Sequence, residues 1–102
     1  KLKGDIMIIE FAARHFQCPD NIREYAEKEV EKFKKINDRA IQCQIILEHE
    51  HNDHTTEINL SVPGNKFFAK AVARNITQSI DLVVEKTMNQ LKKHMDVLHN
   101  HR

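Results

Sequence analysis

The chain has 102 residues, enough for one hydrophobic core and too few for two, so we expect a single domain over residues 1–102. Charged residues make up 30% and apolar residues 40%, with two glycines and two prolines, which excludes a disordered or fibrous protein. Sixteen basic and fifteen acidic residues give a net charge of +1. A nucleic-acid binder with this balance has to concentrate its lysines on one face.

The cysteines and the apolar runs bear on cellular location. Cys18 and Cys43 are too few for the disulfide framework of a small secreted protein, and they are typical of a reduced compartment. The apolar runs are far shorter than the roughly 20 residues that cross a bilayer, and the amino end lacks the zones of a signal peptide. We therefore expect a cytoplasmic protein without a membrane partner.

The amino-terminal part of the chain predicts a strand followed by a helix. Residues 5–12 are apolar and rich in β-branched side chains, as in a strand. Pro19 suits the first helical position, and the alternative is that Asp20 is the cap. An apolar stripe at helical spacing follows as far as Ile36 and consists of Ile22, Tyr25, Ala26, Val30 and Phe33 before it. The predicted helix ends near residues 37–38.

Three strands and a long helix follow. Apolar and polar residues alternate over 40–50, 55–62 and 67–73, with a polar stretch at 49–54. Pro63-Gly64-Asn65 predicts a tight turn, because proline fixes φ and glycine permits a positive φ.

Asn75 is a favourable helix cap, with Gln78 three residues later as in a capping box, and the helical apolar spacing predicts a helix that runs to Arg102. The order β-α-β-β-β-α predicts an α+β fold. We expect a four-stranded, mostly antiparallel sheet with both helices packed on one face, the first helix crossing over between two parallel strands.

Histidines near residue 50 raise the question of a metal site. His49 and His51 lie two apart, so on one strand they would share a face and could chelate a metal together with Asp53 or His54. Polar residues are equally typical of a solvated hairpin connection. We favour the hairpin and predict no metal site.

Catalytic motifs are missing from the sequence. Cys18 has His15 nearby, but a packing or capping role explains a cysteine at a helix start. The chain has no nucleophile elbow, phosphate-binding loop or zinc-protease motif, and two glycines supply little material for a phosphate nest. We predict a non-enzymatic protein that needs no cofactor and takes no small-molecule substrate.

Lysines are the remaining functional signal. On the last predicted helix Lys86 and Lys93 share a face because they are seven residues apart, with Lys92 beside them. On the first predicted helix three lysines follow at i, i+4 and i+7, namely Lys28, Lys32 and Lys35. Side by side on the sheet, the two helices would join these rows into one basic surface along their groove, as phosphate binding requires. Solvated lysines that serve solubility are the alternative.

Several segments resemble the ribosome hibernation-promoting factor family, also called ribosome-associated inhibitor A, protein Y or sigma-54 modulation proteins. The resemblance covers roughly 9–99 and rests on these segments in this order: Ile22-Arg23-Glu24-Tyr25, Lys32-Phe33, Leu60-Ser61-Val62-Pro63-Gly64, Ser79-Ile80-Asp81-Leu82-Val83-Val84-Glu85-Lys86 and Gln90-Leu91-Lys92-Lys93-His94.

This resemblance implies a fold similar to a double-stranded RNA-binding domain and a function on the ribosome. Members bind rRNA of the small subunit in the channel of mRNA and tRNA and block translation in stationary or stressed cells. The rRNA-binding residues it implies are Lys32, Lys86 and Lys93, with Lys28, Lys35 and Lys92 as neighbours. Basic residues would also be expected where this chain has Glu29, Asn89 and Met95.

We accordingly expect a monomeric domain whose partner is the small ribosomal subunit. The alternative is a protein-interaction module of the same fold without ribosome binding. Its contact patch would consist of Phe68, Ile46 and Val72 on the otherwise polar face of the sheet.

Overall fold

A computed structural model describes residues 6–100 of the chain. Strands are β1 (Ile8–Arg14), β2 (Gln42–Glu50), β3 (Asp53–Val62) and β4 (Asn65–Ala73), and helices are α1 (Asp20–Val30), α2 (Lys32–Ile36) and α3 (Ile76–Asn100). The predicted strand start at residue 5 and helix end at residue 102 lie outside the described residues. The element order confirms the predicted α+β fold, with α1 and α2 together forming the first helical layer.

The four strands form one sheet in the order β1-β2-β3-β4. β1 runs parallel to β2, and the β2–β3 and β3–β4 pairs are antiparallel. β1 begins and ends later than predicted, at residues 8 and 14, because its pairing with β2 starts at Ile8 opposite Gln42. The parallel pair requires a crossover, which the α1–α2 layer supplies.

The first helical layer departs from the prediction at its start and in its middle, and it ends as predicted, with Asn37 as the cap. Pro19 is the cap and not the first helical residue, since its backbone is extended (ψ 146°) and its carbonyl accepts the N–H of Ile22 at 3.1 Å. The predicted continuous helix is interrupted at Glu31. There the Glu31 N–H donates to the Lys28 carbonyl at 3.3 Å, an i→i+3 bond tighter than the α-helical one. Phe33, which follows the interruption, is fully buried.

The core lies between the helices and one face of the sheet. Its sheet side is formed by alternate residues of the central strands, and its helix side by the apolar stripe of α3, including Ile80, Val83 and Leu91. Ala69 and Ala71 on β4 are buried, and their small side chains leave room for a helix to pack closely on the strand. Asn75 caps α3, because its Oδ1 accepts the N–H of Gln78 at 3.0 Å.

The two hairpins differ in how well the sequence predicted them. Gly64 has φ +80°, which confirms the predicted tight turn after Pro63. β2 ends at Glu50, as the predicted strand 40–50 did, but β3 starts at Asp53 and not at residue 55, so only residues 51 and 52 of the polar stretch 49–54 form the turn. His51 occupies the remaining turn with φ 60°, a conformation that histidine adopts more readily than most residues. No helix within residues 6–100 combines the length and the apolar character that a membrane span requires.

Candidate nucleic-acid interface

The predicted groove exists between the first helical layer and α3. It has a volume of about 490 Å³ and is partly open to solvent. Its walls carry both signs of charge, with the following polar and charged residues: Tyr25, Glu29, Lys32, Asp81, Glu85, Asn89 and Lys92. Val84 and Met88 form the apolar part of the lining.

Tyr25 and Asp81 join the two walls of the groove. The Tyr25 hydroxyl donates a short hydrogen bond to Asp81 Oδ1. This bond, followed by burial and by the neighbouring Glu29 carboxylate, raises the pKa of Tyr25 to about 12. Tyr25 therefore stays protonated at physiological pH and ties α1 to α3. The sequence did not predict this pair, because the spacing of Tyr25 assigns it to the apolar stripe of the helix. The available signal was its hydroxyl, since a tyrosine that packs against a core usually has a hydrogen-bond partner for its polar end.

Lys32 is the predicted site residue most closely tied to the groove. Its ammonium lies 2.8 Å from Glu29 Oε1, three residues earlier in the chain, so a carboxylate already compensates part of its charge. Lys28 and Lys35 are exposed on the same helical layer, but they are not among the residues that line the groove. Lys92 reaches the groove from α3. Two of the six predicted lysines, Lys32 and Lys92, thus line the groove.

Lys86 lies on the other side of α3. Its Nζ donates to the Lys70 carbonyl of β4 at 2.9 Å, and Gln90 Nε2 donates to the Phe68 carbonyl at 3.1 Å. Lys93 is seven residues from Lys86 and follows it on the same flank. Lys86 and Lys93 therefore lie on the flank of α3 away from the groove that Lys32 and Lys92 line, so the two predicted lysine rows do not join into one basic surface along the groove.

The histidines near the β2–β3 turn do not form the chelate considered from the sequence. His51 lies in the turn, so it does not share a strand face with His49. His49 instead stacks on His54 across the hairpin, with ring centroids 4.1 Å apart, and Phe16 contacts both rings edge-on. Burial, and then the neighbouring His49, lower the pKa of His54, while Asp53 opposes them.

A different group of potential metal ligands lies at the face of the sheet turned away from the helices. His15 Nδ1 is 3.2 Å from Glu48 Oε2, and Glu50 brings a third donor so that all lie within 4.8 Å of one another. His15 and Glu50 are exposed, and an exposed histidine–carboxylate pair of this kind is common without a metal. The group is therefore compatible with a cation but does not require one.

Cys18 shows no sign of activation as a nucleophile. Burial raises the pKa of its thiol, and the nearby Arg23 guanidinium only partly opposes this effect. A raised pKa keeps the thiol protonated, whereas a catalytic cysteine needs the thiolate. Cys18 packs against the core beside the start of α1, as the structural interpretation predicted.

The face of the sheet turned away from the helices carries part of the patch considered for a protein-interaction module. Phe68 and Val72 of β4 are about half exposed. Ile46 is 7% exposed, so it does not contribute to such a patch. Ile46 lies on the central strand β2, where Ala12 of β1 and Glu57 of β3 flank it in register. These neighbours on both sides reduce its exposure.

Comparison with solved structures defines the class of fold. A ribosomal subunit interface protein from Coxiella burnetii superposes with a TM-score of 0.82 at 21% identity, covering 89% of this chain and 99% of that one. The N-terminal domain of Thermus thermophilus Protein Y gives a TM-score of 0.79 at 21% identity, with 87% and 99% covered. The chain therefore has the fold of these small α+β domains.

Sequence comparison then identifies the family. The family model described as Sigma 54 modulation protein / S30EA ribosomal protein matches residues 9–99, and the chain belongs to this family. A relative in Escherichia coli K12, named ribosome hibernation promoting factor, is 27% identical over 95 residues, or 93% of this chain and 100% of the relative. A relative of the same name in Pseudomonas putida KT2440 is 24% identical, with 88% of each chain covered.

Proposed function

We propose that this protein is a ribosome hibernation factor. It would bind small-subunit rRNA in the channel of mRNA and tRNA and block translation in stationary or stressed cells. The observation that carries the proposal is the family match over residues 9–99, with relatives named ribosome hibernation promoting factor. The lysine-bearing helical surface is compatible with an RNA partner.

Steric exclusion is the proposed mechanism, and it involves no bond-making chemistry. Lys28, Lys32, Lys35 and Lys92 would contact phosphates on the groove side of α3, and Lys86 and Lys93 would contact phosphates on its other flank. Each neutralised phosphate releases counterions, which supplies affinity without reading a base sequence. Recognition by backbone and shape is typical of domains that bind structured RNA.

The proposal also covers the partner and the compartment. One copy of the domain would bind each small subunit, because the channel is a single site. The protein would act in the cytoplasm, where ribosomes work, and would need no cofactor, substrate or membrane for this activity.

Co-sedimentation with purified small subunits tests the site. We expect the double variants Lys86→Glu/Lys93→Glu and Lys32→Glu/Lys92→Glu each to weaken binding by more than about tenfold, because repulsion replaces two phosphate contacts. Lys66→Glu/Lys70→Glu changes the net charge equally on β4, and its side chains lie on the sheet face away from the helices, so it is the matched control.

The outcomes separate the function from the site. Wild-type protein that fails to pellet with small subunits, or that leaves translation in a cell-free system unchanged, contradicts the proposed function. Wild-type pelleting combined with equal losses in the helix variants and the β4 control contradicts the site and leaves the function intact. Circular dichroism of each variant establishes that the fold is retained.

A further inference from the structure

The two edges of the sheet differ in the contacts that other parts of the molecule make with them. At the β4 edge, side chains of α3 reach the strand, where Lys86 and Gln90 donate to the carbonyls of Lys70 and Phe68. At the β1 edge, no strand of residues 6–100 pairs on the outer side. One edge is therefore covered by polar side chains, and the other has backbone groups available for pairing.

The pairing pattern shows which groups of β1 face outward. The Ile8 N–H donates to the Ile41 carbonyl at 2.9 Å, so Ile8 and every second residue after it bond to β2. In a parallel pair the intervening residues direct both N–H and C=O to the other side. Ile9, Phe11 and Ala13 therefore present their backbone groups at the free edge.

The side chains along this edge are accessible and partly apolar. Ile6 is 75% exposed and Ile8 is 58% exposed, and Ala12, Ala13 and Arg14 are also exposed. An exposed edge strand with apolar residues is a template for another strand.

We propose that β1 pairs antiparallel with β1 of a second copy around a twofold axis at Ala12. A twofold interface has to be complementary to itself, and this register satisfies that condition. Glu10 then faces Arg14 of the second copy, and Arg14 faces Glu10. Phe11 and Ala13 exchange their outward backbone hydrogen bonds with Ala13 and Phe11 of the other strand.

Charge favours this register, because only an axis at Ala12 places Glu10 opposite Arg14. Moving the axis to Phe11 or Ala13 leaves both residues opposite uncharged ones. Moving it to Glu10 or Arg14 places like charges opposite each other, which repel. In the proposed register Glu10 and Arg14 form non-hydrogen-bonded pairs, whose Cα atoms are about 4.5 Å apart. Arg14 also lies beside Glu48 of its own sheet, so a carboxylate flanks it on each side.

The resulting dimer has a continuous eight-stranded sheet, and its interface is short. Only a seven-residue strand contributes from each copy, which corresponds to a small, transient interface. None of the six lysines proposed for rRNA lies on β1. The free protein would thus self-associate at high concentration, in place of the monomer expected from the sequence, while a single copy binds the ribosome.

Sedimentation equilibrium from about 10 µM to about 1 mM tests the proposal, because weak dimers dissociate in this range. We expect wild-type protein to approach twice its monomer mass. Glu10→Arg and Arg14→Glu should each remain monomeric, and the double variant Glu10→Arg/Arg14→Glu should dimerise again because its pairs are restored. Lys66→Glu, on β4, should dimerise like the wild type. A wild type that stays monomeric throughout, or a double variant no better than the single ones, overturns the proposal.

Disulfide trapping tests the register independently of affinity. The Cα separation of two Ala12 residues facing each other at the axis is within the range of a disulfide. We expect Ala12→Cys, in a Cys18→Ser background, to cross-link into dimers on mild oxidation, since the remaining Cys43 is fully buried. Ala13→Cys faces Phe11 and should cross-link at least about tenfold more slowly. Equal rates for the two variants contradict the proposed register.

Discussion

At the scale of single residues, the buried hydroxyl pair of Thr56 and Ser79 joins the sheet to the start of α3. The two side chains are fully buried, and their oxygens are 2.7 Å apart. Ser79 also donates to the Ile76 carbonyl at 2.7 Å, which makes Thr56 the donor in the pair. Thr56→Val keeps the shape and removes this donor, so we expect a loss of about 1 to 2 kcal/mol in the free energy of unfolding.

Urea unfolding at neutral pH measures this loss. Thr55→Val is the matched control, because Thr55 lies next in the chain on the face of β3 away from the helices. We expect its effect to remain within about 0.5 kcal/mol. Equal effects of the two substitutions would show that the buried bond adds nothing to stability.

The hydrogen bond between Tyr25 and Asp81 can be tested by the absorbance of tyrosine, because the chain has a single tyrosine and the signal belongs to Tyr25 alone. The bond to the carboxylate raises the Tyr25 pKa from 10.0 to about 12. Because the folded pKa is the higher one, its stabilisation is complete below pH 10.0 and is lost as the pH rises through about 12. In Asp81→Asn we expect phenolate absorbance to appear near the ordinary pKa of tyrosine. Asp96→Asn, an equal charge change elsewhere on α3, should titrate like the wild type.

At the scale of elements, the end of the β2–β3 hairpin depends on a neutral histidine. His54 has a buried Nδ1 without a hydrogen-bond partner in the described structure, and it stacks on His49. Burial and His49 lower its pKa, Asp53 opposes them, and Asp53 itself lies 3.8 Å from the Arg74 guanidinium. A lowered histidine pKa gives stability that is present above the ordinary value of 6.5 and is lost as the pH falls through the folded value.

We therefore expect the hairpin to open more readily between about pH 7 and about pH 5. Hydrogen exchange of the amides in β2 and β3 beside the turn, corrected for the intrinsic rate at each pH, measures this opening. His54→Phe keeps an aromatic ring in the stack and removes the titratable imidazole. The hydrogen-exchange protection of the hairpin amides should therefore depend less on pH in this variant. His51→Asn removes a histidine from the turn alone and should behave like the wild type. The same pH response in all three proteins would rule out His54 as the cause.

The sequence predicted the elements better than their junctions. Alternation and helical spacing locate the strands and α3, because these periods follow from which side chains reach the core. The interruption at Glu31 could not be predicted, since its neighbours are good helix formers and tertiary packing around Phe33 overrides their propensity. The start of β3 was predicted two residues late, because the polar residues at the ends of β2 and β3 resemble a loop.

The site was predictable in its residue types and less so in its arrangement. Spacing showed that Lys86 and Lys93 share one flank of α3, but it could not show which flank faces the first helical layer. The rotation of α3 on the sheet decides this, and it is fixed by the packing of Val83 and Leu91 in the core. The counterion Glu29 was likewise visible in the sequence, but its 2.8 Å contact with Lys32 depends on the side-chain positions.

At the scale of the whole molecule, the net charge of +1 provides almost no general attraction to RNA. Affinity for ribosomes would then depend on which lysines are free of carboxylates. With six contacts, the logarithm of the binding constant should fall with the logarithm of salt at a slope of about −4 to −5. A slope near zero would contradict phosphate contacts altogether.

Glu29→Gln makes this dependence testable at one position. Removing the carboxylate frees Lys32 on the groove, and we expect ribosome binding at low salt to strengthen by about threefold to tenfold. Glu27→Gln changes the net charge equally and frees Arg23, which lies over the Phe11 ring of β1 and not on the groove. Its binding should stay within about twofold of the wild type. If both variants bind ribosomes more tightly by the same factor in co-sedimentation titrations, net charge and not the groove controls binding. If Glu29→Gln alone binds more tightly, Lys32 contacts the ribosome and Glu29 weakens that contact in the wild type.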